Sequence, residues 1–201
     1  MANINRSIIK AVEVIAQFEG LASKTPPCMD ARRGYCLTYL PKEGPATDKV
    51  YSYWDRFARI YTIGWGSIYL KGRPVTAADV ITRAEADQLL IDEVKEKEAS
   101  VRRLIDHKKI NDNQYATLIS IAYNAGAGNL RRSRIIPAIK NNLPAEQVAN
   151  IIKDSIVTSR GVVVQGLINR RKKEAALYLT PAGILLLFVN QIPVVSDIIS
   201  F

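Results

Sequence analysis

The spacing of apolar residues changes character twice along this chain, and that change constrains the fold more than any other feature. From Ile4, apolar side chains recur at Ile8, Ile9, Val12, Ile15 and Phe18, the stripe of an amphipathic helix. Gly20, directly after Glu19, is suited to stop it. Residues 22–50 lose the period and gather Pro26, Pro27, Gly34, Pro41, Gly44 and Pro45, which predicts a long loop or insertion. Residues 51–70 are rich in Tyr, Trp, Ile and Thr, with Gly64 and Gly66 as punctuation, and predict a small β-sheet region. The helical period then returns. Thr82 with Glu85 and Asn111 with Gln114 have capping-box spacing. The first box precedes Leu89, Leu90, Val94, Val101, Leu104 and Ile105, and the second precedes Tyr115, Leu118, Ile119, Ala122 and Tyr123. Pro144 suits a first helical turn before Val148, Ile151 and Ile152, and residues 166–179 read as a basic final helix. One helix, a small sheet and several further helices predict an α+β protein dominated by α.

The 201 residues suffice for one cored domain, or one domain with a small lobe. A net charge of +9 favours polyanions: nucleic acid, an anionic membrane, or a wall bearing teichoic acids and peptide carboxylates. The basic runs Arg131-Arg132-Ser133-Arg134 and Arg170-Arg171-Lys172-Lys173 have no interleaved aromatic platform. We read them as solvated basic faces drawn to an anionic wall, with no specific nucleic-acid partner. Cys28 and Cys36 are read as reduced and non-catalytic, with one local bridge left open. His107 is the single histidine and no Cys/His cluster exists, so neither metal nor cofactor is expected. Met1–Arg6 is polar and lacks a signal-peptide pattern. The apolar run at 183–189 is too short to span a membrane. It reads as a packed C-terminal helix and tail, with membrane or partner contact left open.

Phe18-Glu19-Gly20 puts a carboxyl group at a helix C-terminus, beside the negative end of the backbone dipole. Such a group can donate a proton to a departing glycosidic oxygen. Tyr53-Trp54-Asp55 leads to Thr62-Ile63-Gly64-Trp65-Gly66-Ser67, so a carboxylate and a hydroxyl on one hairpin could hold a water facing Glu19. Inverting glycoside hydrolysis needs such an arrangement, with the carboxyl groups roughly 6.5–9.5 Å apart. The alternative keeps Asp55 as a turn residue and Thr62 as a strand residue.

Six segments in this order resemble the phage-type lysozymes, glycoside hydrolase family 24: FEG at 18–20, YWD at 53–55, TIGWGS at 62–67, TRAEADQLLIDEV at 82–94, SIAYNAGAGNL at 120–130 and GLINRRKKE at 166–174. The resemblance implies a two-lobed lysozyme-like fold. Its catalytic domain would span 1–180, with 22–50 inserted beside the small β lobe and 181–201 an apolar extension. The small lobe would cover 19–75, the helical lobe would join the first helix to 76–180, and a glycan would lie between them. It further implies Glu19 as general acid, Asp55 and Thr62 as the groups that activate and place water, and Tyr123 and Asn124 as cleft-lining residues. Ile68 and Ser133 are further saccharide contacts by the same resemblance. The activity implied is hydrolysis of the β-1,4 bond between N-acetylmuramic acid and N-acetylglucosamine in peptidoglycan. The setting implied is a phage endolysin, held in the host cytoplasm until a holin releases it, or a virion-borne enzyme docked to tail proteins through 22–50 or 181–201.

Three departures from the family pattern stand out. About thirty residues separate Glu19 from Tyr53 where the family has a short connection. Arg56 to Tyr61 place one residue more than usual between Asp55 and Thr62, an excess that a β-bulge would absorb. Ser67 stands where many members carry histidine. The insertion also leaves open an alignment in which Cys28, or nearby Asp30, takes the place given to Asp55. Rival readings are a lytic transglycosylase, a virion protein that keeps the fold without turnover, and a nucleic-acid-binding protein.

Overall fold

The computed structural model describes residues 6–20, 22–25, 36–39, 45–55, 58–106, 108–159 and 161–182. Ile4, Cys28, Asp30, His107 and the apolar 183–201 tail lie outside them. In chain order the elements are α1 (Arg6–Glu19), β1 (Ala22–Thr25), β2 (Cys36–Tyr39), β3 (Lys49–Tyr51), β4 (Tyr53–Asp55), β5 (Ile60–Thr62), β6 (Tyr69–Leu70), β7 (Arg73–Pro74), β8 (Val80–Thr82), α2 (Arg83–Ile105), α3 (Asp112–Ala125), α4 (Ala127–Arg132), α5 (Ile135–Lys140), α6 (Ala145–Asp154), β9 (Thr158–Ser159), β10 (Val162–Val163) and α7 (Gln165–Leu179). The protein is α+β and helix-dominated. None of the described helices is long and apolar enough to cross a membrane. The chain divides into two compact units, passing between them inside α1 after Ile15 and inside α2 after Asp92.

The unit of residues 16–92 holds β1–β8, arranged as two-stranded antiparallel ladders. Part of the segment expected as loop is ordered strand: β1 pairs with β2 from Ala22↔Tyr39 to Thr25↔Cys36, and β3 pairs with β8 around Val50↔Ile81. The six prolines and glycines of 22–50 all fall between these short strands, whose pairing is a non-local property. Thr82, the last residue of β8, also opens α2 as expected. Its N–H donates to Glu85 Oε2 at 2.8 Å, and its Oγ1 accepts from the Glu85 N–H at 3.2 Å.

Near the β6–β7 hairpin, Asp79 acts as a local knot. It accepts from Arg73 Nη1 and Nη2 at 2.9 and 2.5 Å, from the Thr76 N–H at 2.6 Å and from the Thr76 hydroxyl at 3.0 Å. The Arg73 hydrogen bonds, followed by the Thr76 N–H, hold the Asp79 carboxyl well below the usual carboxylate range. The folded state therefore binds this proton less readily than the unfolded chain, whose aspartates titrate near about 3.9. The resulting stability is present above that value and is lost as pH falls through the depressed folded one. Urea unfolding at pH 7 and pH 3 is expected to show a larger acid loss in the parent than in Asp79→Asn. Equal losses would exclude the knot from acid sensitivity.

The second unit joins the first turns of α1 to residues 93–182. Ile8, Ala11, Val12 and Ile15 form the buried α1 stripe, while Ile9 is half-buried. The α3 capping box is present, with reciprocal 2.9 Å bonds between Asn111 and Gln114. The expected one-sided stripe on α3 is wider in the structure, where Ala116 through Ala122 are all buried. A helix buried on nearly every side is a central one, and its polar residues are satisfied. Thr117 bonds its own helix through the Asn113 carbonyl at 2.9 Å. Asn113 accepts from Lys10 Nζ at 2.5 Å and donates to the Thr180 and Pro181 carbonyls, each at 3.0 Å. α7 packs on α3 and α6. Pro144 sits at the N-cap of α6, one residue before its first turn.

The reading of Arg170–Lys173 as a solvated face is corrected here. Lys172 and Lys173 are exposed, but Arg170 and Arg171 are 6% and 0% exposed and converge on buried Glu174. Arg170 Nε reaches Glu174 Oε1 at 3.2 Å, Arg171 Nη1 binds Oε2, and Ser120 Oγ donates to Oε1 at 2.6 Å. Local charge gave no sign of this, because the helix turns two adjacent arginines inward onto one carboxylate three and four residues further on.

Candidate active site

Glu19 is the last residue of α1. The helix stops because Gly20 adopts φ 64°, a left-handed conformation open to glycine, while its N–H still reaches the Ala16 carbonyl at 3.3 Å. The half-buried Glu19 carboxyl lies against Gly66: its Oε2 is 3.6 Å from where a Cβ on Gly66 would stand. Gly66 itself has φ 107°.

The loop that presents Gly66 is tightly specified. Ile63 and Ser67 exchange backbone hydrogen bonds at 2.9 and 3.0 Å. Trp65, 1% exposed, donates its indole N–H to Asp87 Oδ1 at 2.7 Å, and Asp87 pairs with Arg83 one helical turn earlier at 3.8 Å. A Cβ on Gly64 (φ 64°) would stand 3.1 Å from the Ala86 Cβ, so glycine there permits close packing against α2. Arg83, Ala86 and Asp87 were not singled out from sequence. Their signal was available in the TRAEADQ segment, which places all three within five residues of Thr82, the start of the capping box. Ser67 is buried, and its Oγ has no hydrogen-bond partner among the described residues.

Asp55 and Thr62 belong to the β4–β5 hairpin, whose register is Tyr53↔Thr62, Trp54↔Tyr61 and Asp55↔Ile60. Directly paired residues share a face, so Asp55, Ile60, Tyr53 and Thr62 all lie on one side. Trp54 and Tyr61 meet on the other, with ring centroids 5.0 Å apart. The extra residue between Asp55 and Thr62 is not absorbed by a bulge. The ladder is regular through Asp55↔Ile60, so the excess falls between those two residues, where Arg59 takes φ 58°. Asp55 also organises that turn: its Oδ1 accepts the Ala58 N–H at 3.0 Å and its carbonyl the Arg59 N–H at 2.7 Å. Thr62 is 5% exposed.

Ile68, just beyond the loop, is 38% exposed. Thus Glu19, Asp55, Thr62 and Ile68 all fall in the 16–92 unit, whereas Tyr123, Asn124 and Ser133 fall in the other. Tyr123 and Asn124 are half-buried in the last turn of α3, and Asn124 Oδ1 accepts from Arg171 Nη2 at 2.6 Å. Ser133 ties the α4–α5 junction, donating to the Leu130 carbonyl at 2.7 Å and accepting the Ile135 N–H at 3.2 Å. It also lines a polar cavity of about 410 Å³ with Arg132, Arg134, Asp154 and Thr158. Among the described residues no three or more His, Cys, Asp or Glu side chains are grouped as metal ligands.

The family model described as "Phage lysozyme" matches residues 46–174. The chain belongs to the phage lysozyme family. The match takes in Asp55, Thr62, Tyr123 and Asn124 and begins beyond Glu19. Among relatives of this lysozyme-family chain, the endolysin of Bacillus phage PZA is 34% identical over 118 residues, covering 59% of this chain and 43% of the relative. The SAR-endolysin of Haemophilus phage HP1 (strain HP1c1) is 31% identical over 132 residues, covering 61% of this chain and 68% of the relative. The chain thus spans less than half the length of the Bacillus phage endolysin. Among solved structures, the endolysin from Escherichia coli O157:H7 phage FAHEc1 aligns with TM-score 0.62 at 27% identity, over 88% of this chain and 93% of that one.

Proposed function

We propose that this phage-lysozyme-family chain hydrolyses the β-1,4 bond between N-acetylmuramic acid and N-acetylglucosamine in bacterial peptidoglycan. Glu19 is the general acid, and Asp55 and Thr62 activate and place the attacking water. One observation carries the reading: the Glu19 carboxyl rests on Gly66 of the loop that directly continues the Asp55–Thr62 hairpin, with Asp55 and Thr62 on a single face of it. An acid from a helix end and a water-holding pair from a strand face are the two groups that inverting cleavage requires. Relatives named endolysins support a role in breaching the host wall, and the +9 charge suits a polyanionic one. Tyr123, Asn124, Ile68 and Ser133 are assigned to the saccharide, the last with the polar cavity beside it.

Purified peptidoglycan treated with the protein is expected to yield fragments ending in a reducing N-acetylmuramic acid, identified by mass spectrometry before and after borohydride reduction. Anhydro ends would replace water by the sugar's own hydroxyl as the attacking group. An untouched wall would end the reading.

A further inference from the structure

The buried ion cluster of α7 extends one bond beyond its own charges, to an amide on the last turn of α3. Arg171 is fully buried, gives Nη1 to Glu174 and gives Nη2 to Asn124 Oδ1. A guanidinium carries five N–H donors and no acceptor. Only the oxygen of a neighbouring amide can therefore turn toward it, since the flipped amide would set two donors against a cation. The Asn124 NH₂ group is thereby directed away from Arg171, on a residue that is itself only half-buried. Glu174 holds Arg171 from its other side and is in turn fixed by Arg170 and Ser120, so the orientation is set inside the protein before any ligand arrives.

We propose that Arg171 is a positioning residue that fixes Asn124 as a donor-only contact, selecting the acetamido carbonyl of a substrate sugar. This rests on the glycan-cleaving reading above. Each sugar of the proposed substrate carries an acetamido group whose carbonyl oxygen only accepts. Loss of the acetyl leaves an ammonium, which only donates. An amide locked with its NH₂ outward matches the first and opposes the second. A freely flipping amide would accommodate both.

Asn124→Asp separates this role from packing. The carboxylate keeps an oxygen for Arg171, with a stronger charge-assisted bond, while the outward donor becomes an acceptor. The variant is expected to melt at or above the parent's temperature. Its kcat/KM on fully N-acetylated peptidoglycan should fall about tenfold, and the parent's preference for acetylated over chemically de-N-acetylated glycan should shrink or reverse. Should Asn124→Asp fold poorly, Asn124→Ala supplies the same comparison and is expected to lose the preference. An unchanged preference in a folded variant overturns the proposal while leaving glycan cleavage intact. A parent protein that cuts neither glycan overturns the underlying reading as well.

Discussion

The Glu19→Gln protein is expected to melt close to the parent and to lose about 10²–10⁴-fold in the rate of glycan cleavage. Glutamine copies the shape of glutamate, so the packing against Gly66 survives. It also removes a negative charge from a helix C-terminus, where the backbone already presents carbonyl oxygens, so stability is not expected to drop. What it cannot do is hand a proton to the leaving sugar oxygen. Clearing of purified peptidoglycan, measured beside thermal unfolding by circular dichroism, checks both halves. Parent-like clearing would take Glu19 out of the chemistry and the proposed mechanism with it.

The largest stability effect is expected at Glu174. Glu174→Ala leaves the guanidinium groups of Arg170 and Arg171, whose side chains are 7% and 0% exposed, without their shared carboxylate. Breaking one side of a buried ion pair costs about 3–5 kcal/mol, because the remaining charge is neither hydrated nor compensated. Against total stabilities of about 5–15 kcal/mol, that brings the helical unit near its folding limit. The change also frees Ser120 Oγ and loosens Arg171, hence Asn124. Urea unfolding is expected to show a sharply lower midpoint with a similar slope. A loss below about 1 kcal/mol would mean that water reaches the two arginines.

Features that depend on neighbours in sequence were legible before any coordinates. Thr82–Glu85 and Asn111–Gln114 close their boxes because both partners lie within one turn, and Gly20 ends α1 because glycine adopts a left-handed φ without a Cβ penalty. The α+β class followed from the change of period. What sequence concealed is non-local. Ala22–Thr25 becomes strand only because Cys36–Tyr39 is there to receive its hydrogen bonds. Arg170 and Arg171 look like solvent-facing charge until Ser120 and Asn124 arrive from another helix. At the candidate site, the helix-end position of Glu19 could be read from Phe18-Glu19-Gly20. The approach of its carboxyl to Gly66 could not, because it depends on how Trp65 and Asp87 anchor the intervening loop.

The division of the chain inside α1 and α2 imposes an order on synthesis. Residues 16–92 are contiguous, so the described part of that unit has been synthesised once Asp92 leaves the ribosome. Ile8, Ala11, Val12 and Ile15 belong with residues 93–182, and Lys10 bonds Asn113, which also holds the carbonyls of Thr180 and Pro181. At roughly 5–20 residues per second, the apolar face of the first helix waits several seconds for its permanent partners. During that interval the nascent chain carries an exposed greasy stripe on its first helix, the kind of surface from which misassociation starts.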